Sequence, residues 1–160
     1  MAFDAFLKID GIPGESTDDK HKDEIEVLSF NFGISRQGSR GRASLADFSV
    51  VKNVDGASPL LFDAACEGKA IDGALFTARK AGKEQVEFIK ITFEEVIISS
   101  VQHSGAPGGE TLPMESVSLD FRSLKMEVFK QDPKGTGVWV TTECTARRAR
   151  LTEEGLTEGR

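Results

Sequence analysis

Alternation opens the chain. Phe3, Ala5, Leu7 and Ile9 fall on one face of an extended segment while Asp4, Lys8 and Asp10 fall on the other, with Phe6 alone out of phase. The same period-two pattern returns further on, but its phase slips. From Ile25 to Ile34, Ile25 and Val27 share one face and Leu28, Phe30, Phe32 and Ile34 share the other. From Glu115 onward, Val117, Leu119 and Phe121 are in one register and Leu124, Met126 and Val128 in the next. A third slip falls near Glu94 and Glu95, between Ile89, Ile91, Phe93 and then Val96, Ile98. A one-residue slip exchanges the buried and solvent faces, so a continuous strand needs a bulge or bend at each of these points. Long strands with bulges are how a sheet curls or passes from one layer to another.

One stretch reads as helix. Ser58-Pro-Leu-Leu-Phe-Asp-Ala-Ala-Cys-Glu-Gly68 offers Ser58 as N-cap, Pro59 at the first helical position and Gly68 as the stop. Under three turns long, it must dock Leu61, Ala64 and Ala65 on a sheet to persist. Further strands are expected at Ala74 to Arg79, Glu84 to Ser100 and Gly137 to Arg147, joined by turns at Lys80 to Lys83 and Asp132 to Gly135. The expected fold is mainly β: a bulged antiparallel barrel of two packed sheets with one short flanking helix, a single domain over residues 1–150 followed by a frayed tail over 151–160. Three segments fall outside that core: Asp10 to Glu24, the Gly, Ser and Arg-rich insertion Ser35 to Ala46, and Gln102 to Thr111. Structureless loops of such length are usually functional or disordered.

Composition narrows the function. With 160 residues, the prior favours one domain. The two cysteines, Cys66 and Cys144, have no CxxC spacing and read as ordinary side chains rather than a disulfide or zinc framework. The net charge of −6 argues against general nucleic-acid binding. A strand beginning at residue 2 leaves no room for a basic-then-apolar leader, and no apolar run approaches a membrane span, so a soluble chain made in the cytosol, with no membrane insertion, is expected. Phosphate-loop, HExxH, G-x-S-x-G and Rossmann patterns are absent, so neither an enzyme nor a cofactor is expected. His103 and Ser104 are sequence neighbours whose side chains point apart on an extended chain, which reads as a solvated loop. Asp18, Asp19, His21 and Asp23 lack calcium-loop spacing and read as a solvated polar turn, leaving no metal site. Arg36, Arg40 and Arg42 form one aromatic-free basic cluster, a weak footprint for RNA.

The residues that carry a family resemblance are now in view. The opening Ala-Phe-Asp-Ala-Phe-Leu-Lys-Ile-Asp-Gly-Ile-Pro-Gly-Glu-Ser, followed by Asp19, His21 and Ile25-Glu-Val-Leu-Ser-Phe, resembles the Hcp family (haemolysin co-regulated protein), the tube-forming proteins of type VI secretion. Asp55-Gly-Ala-Ser-Pro-Leu-Leu resembles that family's short helix entry, and Glu115-Ser-Val-Ser-Leu-Asp-Phe its long late strand. The likeness runs from about Ala2 to Arg148 and is specific as a set. It implies homohexameric rings that stack into a tube, expelled with a spike by a contractile sheath, and effector proteins carried in the lumen. It also implies export of a folded protein without a signal peptide, first cytoplasmic and then outside or in a target cell.

A closed ring of identical subunits needs two different patches on each. Phe6, Ile25 and Val27, off the main inward phase, are candidates for contacts within the ring, or for a second core. Arg36, Arg40 and Arg42 are candidates for a loop that reaches the next ring, with Asp18, Asp19, Asp23 and Glu24 as its acidic counterpart. The alternative to a tube subunit is a monomeric barrel that binds a small ligand or a partner protein. The bulky inward Phe, Leu and Ile argue against a hollow interior.

Overall fold

The computed structural model describes residues 2–39, 41, 43–134 and 136–145. In chain order the elements are β1 (Phe3–Ile9), β2 (Ile25–Val27), β3 (Ser29–Asn31), β4 (Ile34–Arg36), β5 (Ala43–Leu45), β6 (Phe48–Asn53), α1 (Ser58–Glu67), β7 (Ile71–Lys80), β8 (Glu87–Ser104), β9 (Met114–Gln131) and β10 (Gly137–Thr145). Eight strands form one antiparallel sheet in the order β2-β1-β7-β8-β9-β6-β3, with β10 added to β9; β4 and β5 form a separate hairpin. The two packed walls expected from the sequence are parts of this one curled sheet.

The curl closes where the apolar phase first slips. β2 and β3 stand at opposite ends of the strand order, yet only Leu28 separates them in the chain. Ile25 and Val27 face the core from the β1 side, whereas Phe30 reaches it from the β6 side. Leu28 donates its N–H to the Val51 carbonyl at 2.8 Å and turns its side chain outward, 55% exposed. The corner residue thus leaves the face that alternation gives it, because the backbone there crosses between sheet ends.

The other two slips coincide. Phe93 pairs with Leu124 and Val96 with Phe121, all four buried, and between them Glu94 and Glu95 face Arg122 and Ser123. Both long strands therefore change face at one level without losing register. Glu95 takes a left-handed backbone, φ 51°, and its carboxylate meets the Arg122 guanidinium at 3.2 Å on the surface. A further bulge separates Ile98 from Ser100 on β8, where the Ser99 hydroxyl donates to Asp47 at 2.7 Å.

Phenylalanine fills the interior. Phe48, Phe76, Phe93 and Phe121 are completely buried, and Phe48 lies 5.1 Å from Phe76 and 4.9 Å from Phe93, ring centre to ring centre. Tilted and edge-on contacts of this kind add to the area that the rings bury. α1 docks on β8 through Leu61 and Ala64, and Gly68 ends it in the left-handed conformation, φ 61°. Ser58 does not cap the helix: it sits inside the first turn and its hydroxyl is engaged elsewhere.

Candidate assembly site

The first group of candidate surface residues turns inward. Phe6, Ile25 and Val27 are 4%, 0% and 8% exposed, so they leave no area for a neighbouring subunit. The reason for Phe6 is a second apolar layer. β1 and β7 bury both faces: Leu7 and Phe76 point into the barrel, while Phe6 pairs with Thr77 on the outside and is covered by the loop that precedes β2. That loop is held in place by Gly14, whose added Cβ would lie 2.4 Å from the Glu24 carbonyl oxygen.

The same loop carries charges that sequence analysis placed in solvent. His21 is 5% exposed and stacks on Phe6 with ring centres 4.4 Å apart. Its Nδ1 lies 2.9 Å from Glu24 Oε2 and its Nε2 3.0 Å from Glu87 Oε1, tying the loop to the start of β8. Arg79, 3% exposed, donates from Nη1 and Nη2 to the two carboxylate oxygens of Asp18 at 2.9 and 2.5 Å, a bidentate pair. Its guanidinium also lies 4.9 Å from the Phe6 ring centre. The solvated turn is therefore a clasp. Of the four acidic candidates, Asp18 and Glu24 are engaged within the subunit, and Asp19 and Asp23 remain on the surface.

The Arg79 hydrogen bonds hold Asp18 well below the ordinary carboxylate value of 3.8, to about 2. A depressed carboxylate contributes stability above its unfolded value and loses it as pH falls through the folded one. The clasp therefore persists at neutral pH and loosens between about pH 4 and about pH 2. Arg79→Gln removes that dependence, so the variant's urea midpoint is expected to fall less steeply across this window than the parent's. Equal slopes would assign the acid sensitivity to other groups, Glu115 among them.

A second lock joins β6, β9 and α1. Lys52 and Glu115 are 1% exposed each and are register partners, at the end of the inward rows Phe48, Val50, Lys52 and Phe121, Leu119, Val117, Glu115. The Lys52 ammonium donates to Glu115, to Asp55 at 2.8 Å and to the Asn53 carbonyl at 2.9 Å, and it lies 3.3 Å from the Ser58 hydroxyl. Ser58 in turn donates to Glu115 at 2.8 Å. His103 Nε2 lies 2.6 Å from the second Glu115 oxygen, so the supposed loop histidine belongs to β8 and to this network. Burial pushes the Glu115 carboxyl up, but hydrogen bonds from Lys52 and Ser58, the Lys52 charge and the His103 contact together bring it below the usual range.

The Arg-rich insertion has structure. β4 and β5 pair Ile34 with Leu45 and Arg36 with Ala43, making a hairpin apart from the barrel sheet. Arg36 is exposed and donates to the Gly41 carbonyl at 3.1 Å; Arg40 and Arg42 lie outside the described residues. Exposed apolar side chains include Leu28 and Ile34 near the barrel corner, Leu60 and Phe62 on α1, and Val138 and Val140 on β10. Surface clefts are charged: one of about 470 Å³ is lined by Asp4, Asp18, Glu26 and Arg79 beside Phe3 and Leu28. Among the described residues no group of His, Cys, Asp and Glu could hold a metal, and no helix is long and apolar enough to cross a membrane.

Residues 6–128 match the family described as "Type VI secretion system effector, Hcp". This chain belongs to the Hcp family. Protein hcp1 of Pseudomonas aeruginosa is 39% identical over 144 residues, covering 84% of this chain and 88% of that protein. The crystal structure of Hcp1 from Salmonella typhimurium is 40% identical, with a TM-score of 0.76, covering 89% and 95% of the two chains. A solved structure described as a type six secretion system protein is 32% identical, with a TM-score of 0.83, covering 90% and 96%. Membership makes this a type VI secretion protein.

Proposed function

We propose that this chain is the repeating subunit of the type VI secretion inner tube. Homohexameric rings with an open centre stack into a tube that a contractile sheath drives out behind a spike, with effectors sheltered in the lumen. Made in the cytoplasm, the protein would leave the cell folded, through this machine. The reading rests on similarity to Hcp proteins over nearly the whole chain. The Phe-filled interior supports it too, since a small ligand would find no room there. In this reading the β4–β5 hairpin, which is not hydrogen-bonded to the barrel sheet and has Arg36, Arg40 and Arg42 in its sequence, reaches the adjacent ring. Exposed Asp19 and Asp23 remain available as its acidic counterpart. Rim charge pairs give orientation and salt sensitivity more than affinity.

Negative-stain electron microscopy of the purified protein tests the subunit reading: rings with a hole support it, and compact particles at every concentration reject it. Arg40→Glu with Arg42→Glu tests the hairpin. Rings are expected to persist while tube formation and secretion fall. Normal secretion by the double variant would remove the hairpin from stacking.

A further inference from the structure

His21 is flanked on both sides by groups that can only accept. Its Nδ1 lies 2.9 Å from Glu24 Oε2 and its Nε2 3.0 Å from Glu87 Oε1. An ionised carboxylate has no hydrogen to give, and a neutral imidazole carries one N–H and one bare nitrogen. Two carboxylates and a neutral ring therefore satisfy one contact and set lone pair against lone pair in the other. Both contacts close only when the trio holds one further proton. The ring, as the strongest base of the three, takes it.

The surroundings suit a charged ring. The Glu24 side chain is 11% exposed, and its Oε1 is buried without a hydrogen-bond partner, so the contact with His21 is what holds this carboxylate. On the histidine's own loop, Asp18 Oδ1 accepts the His21 backbone N–H at 3.2 Å, while Lys20, Lys22 and Asp23 are exposed. β1 supplies the uncharged face of Phe6. From β7, Arg79 lies on that same Phe6 ring, paired with Asp18 and 3.5 Å from Asp4. From β8, Lys90 lies 3.4 Å from Glu87. Carboxylates outnumber cations in this cluster, and the extra proton offsets part of the excess. The turn is also under backbone strain: Asp23 takes φ 61°, a left-handed conformation unfavourable for a residue with a side chain, as the chain brings Glu24 back onto Nδ1.

We infer that Glu24, His21 and Glu87 form a proton-operated latch, closed by a doubly protonated His21 and opened when that proton leaves. The closed latch binds one proton more than an open loop with a neutral ring and two free carboxylates. Closure therefore weakens as pH rises, by at most about tenfold per pH unit. The Arg79–Asp18 pair gives way on the acid side, so the loop before β2 is fully seated only in a band between the two limits. Opening uncovers Phe6 and frees the segment that carries Asp19 and Asp23. The latch lies within one subunit and stands whether or not rings form.

The chain has two histidines, so histidine-selective nitrogen-15 labelling gives the signals of two rings, and His21→Gln assigns them. In the unaltered protein both His21 ring nitrogens are expected to carry protons at about pH 6, and one to be bare by about pH 9. Over that range the Asp23 and Glu24 amides, corrected for the intrinsic exchange rate at each pH, are expected to exchange at least about tenfold faster. Glu87→Gln separates the proton from the contact. Its amide donates to the bare nitrogen of a neutral ring, so the latch closes without the extra proton, and loop protection is expected to change less than about twofold across the same range.

A bare His21 nitrogen beside a protected loop at the acid end, or loop protection in the parent that does not change with pH, would overturn the inference. An equally steep loss of protection in Glu87→Gln would also overturn it, assigning the pH response to another group. If Glu87→Gln fails to fold or to seat the loop, the ring signals and loop exchange of the unaltered protein decide alone.

Discussion

Lys52→Met is expected to destabilise the barrel by about 3–5 kcal/mol at neutral pH, the usual cost of removing one member of a buried ion pair. Glu115 is fully buried, and without Lys52 its carboxylate keeps only the Ser58 hydroxyl and His103 as partners. Asp55 and the Asn53 carbonyl lose a donor at the same time. The double variant Lys52→Met with Glu115→Leu is expected to recover most of that loss, because apolar replacements of a buried pair are often neutral or stabilising. Urea unfolding of the four proteins of the cycle gives the coupling energy directly. A single variant within about 1 kcal/mol of the parent, the value of an exposed pair, would mean that solvent reaches the lock.

Phe48→Ala is expected to cost about 3–5 kcal/mol by emptying a cavity at the centre of the phenylalanine cluster. Four rings, Phe30, Phe32, Phe76 and Phe93, lie within 6.2 Å of Phe48, and they come from β3, the connection that follows it, β7 and β8. Relaxation into the gap would have to move several of them together, so little of the void can collapse. Phe48→Leu is expected to cost less, since most of the volume stays. Phe62→Ala, on the exposed side of α1, serves as the comparison and should change stability by about 0.5 kcal/mol or less. Similar losses for Phe48→Ala and Phe62→Ala would show that the cluster is not where the stability resides.

The difference between these sites follows what the sequence could and could not reveal. Alternation exposed the long strands because one face of each is filled by Phe, Leu, Ile and Val. The slips at Val27 and at Glu94-Glu95 were legible for the same reason, and they proved to be the barrel seam and the corner shared by β8 and β9. The Lys52–Glu115 lock was written in the pattern as well: each charge continues the inward phase of a strong strand, after Phe48 and Val50 and before Val117 and Leu119. Phe6 was left open between a ring contact and a second core because alternation assumes one solvent face, whereas the loop before β2 gives β1 two buried faces. The Arg79–Asp18 and His21–Glu87 contacts join residues 61 and 66 positions apart, and no local pattern encodes how a loop folds back. The β4–β5 hairpin was hidden because its strands are three residues long and largely exposed.

The position of β9 also constrains the order in which a nascent chain can fold. It lies between β8 and β6, so among the described strands its two ladders join the β2-β1-β7-β8 half of the sheet to the β6-β3 half. Leu28 links those halves covalently from the start, but Phe48 has no Leu119 to face until β9 has been synthesised. From the synthesis of β8 until that of β9, both halves therefore hold apolar faces open, with the hydrogen-bonding edges of β8 and β6 bare. Closure is a late event dominated by contacts distant in sequence, which slows folding and favours aggregation. Those two edges stay open to other chains until residue 131 has left the exit tunnel.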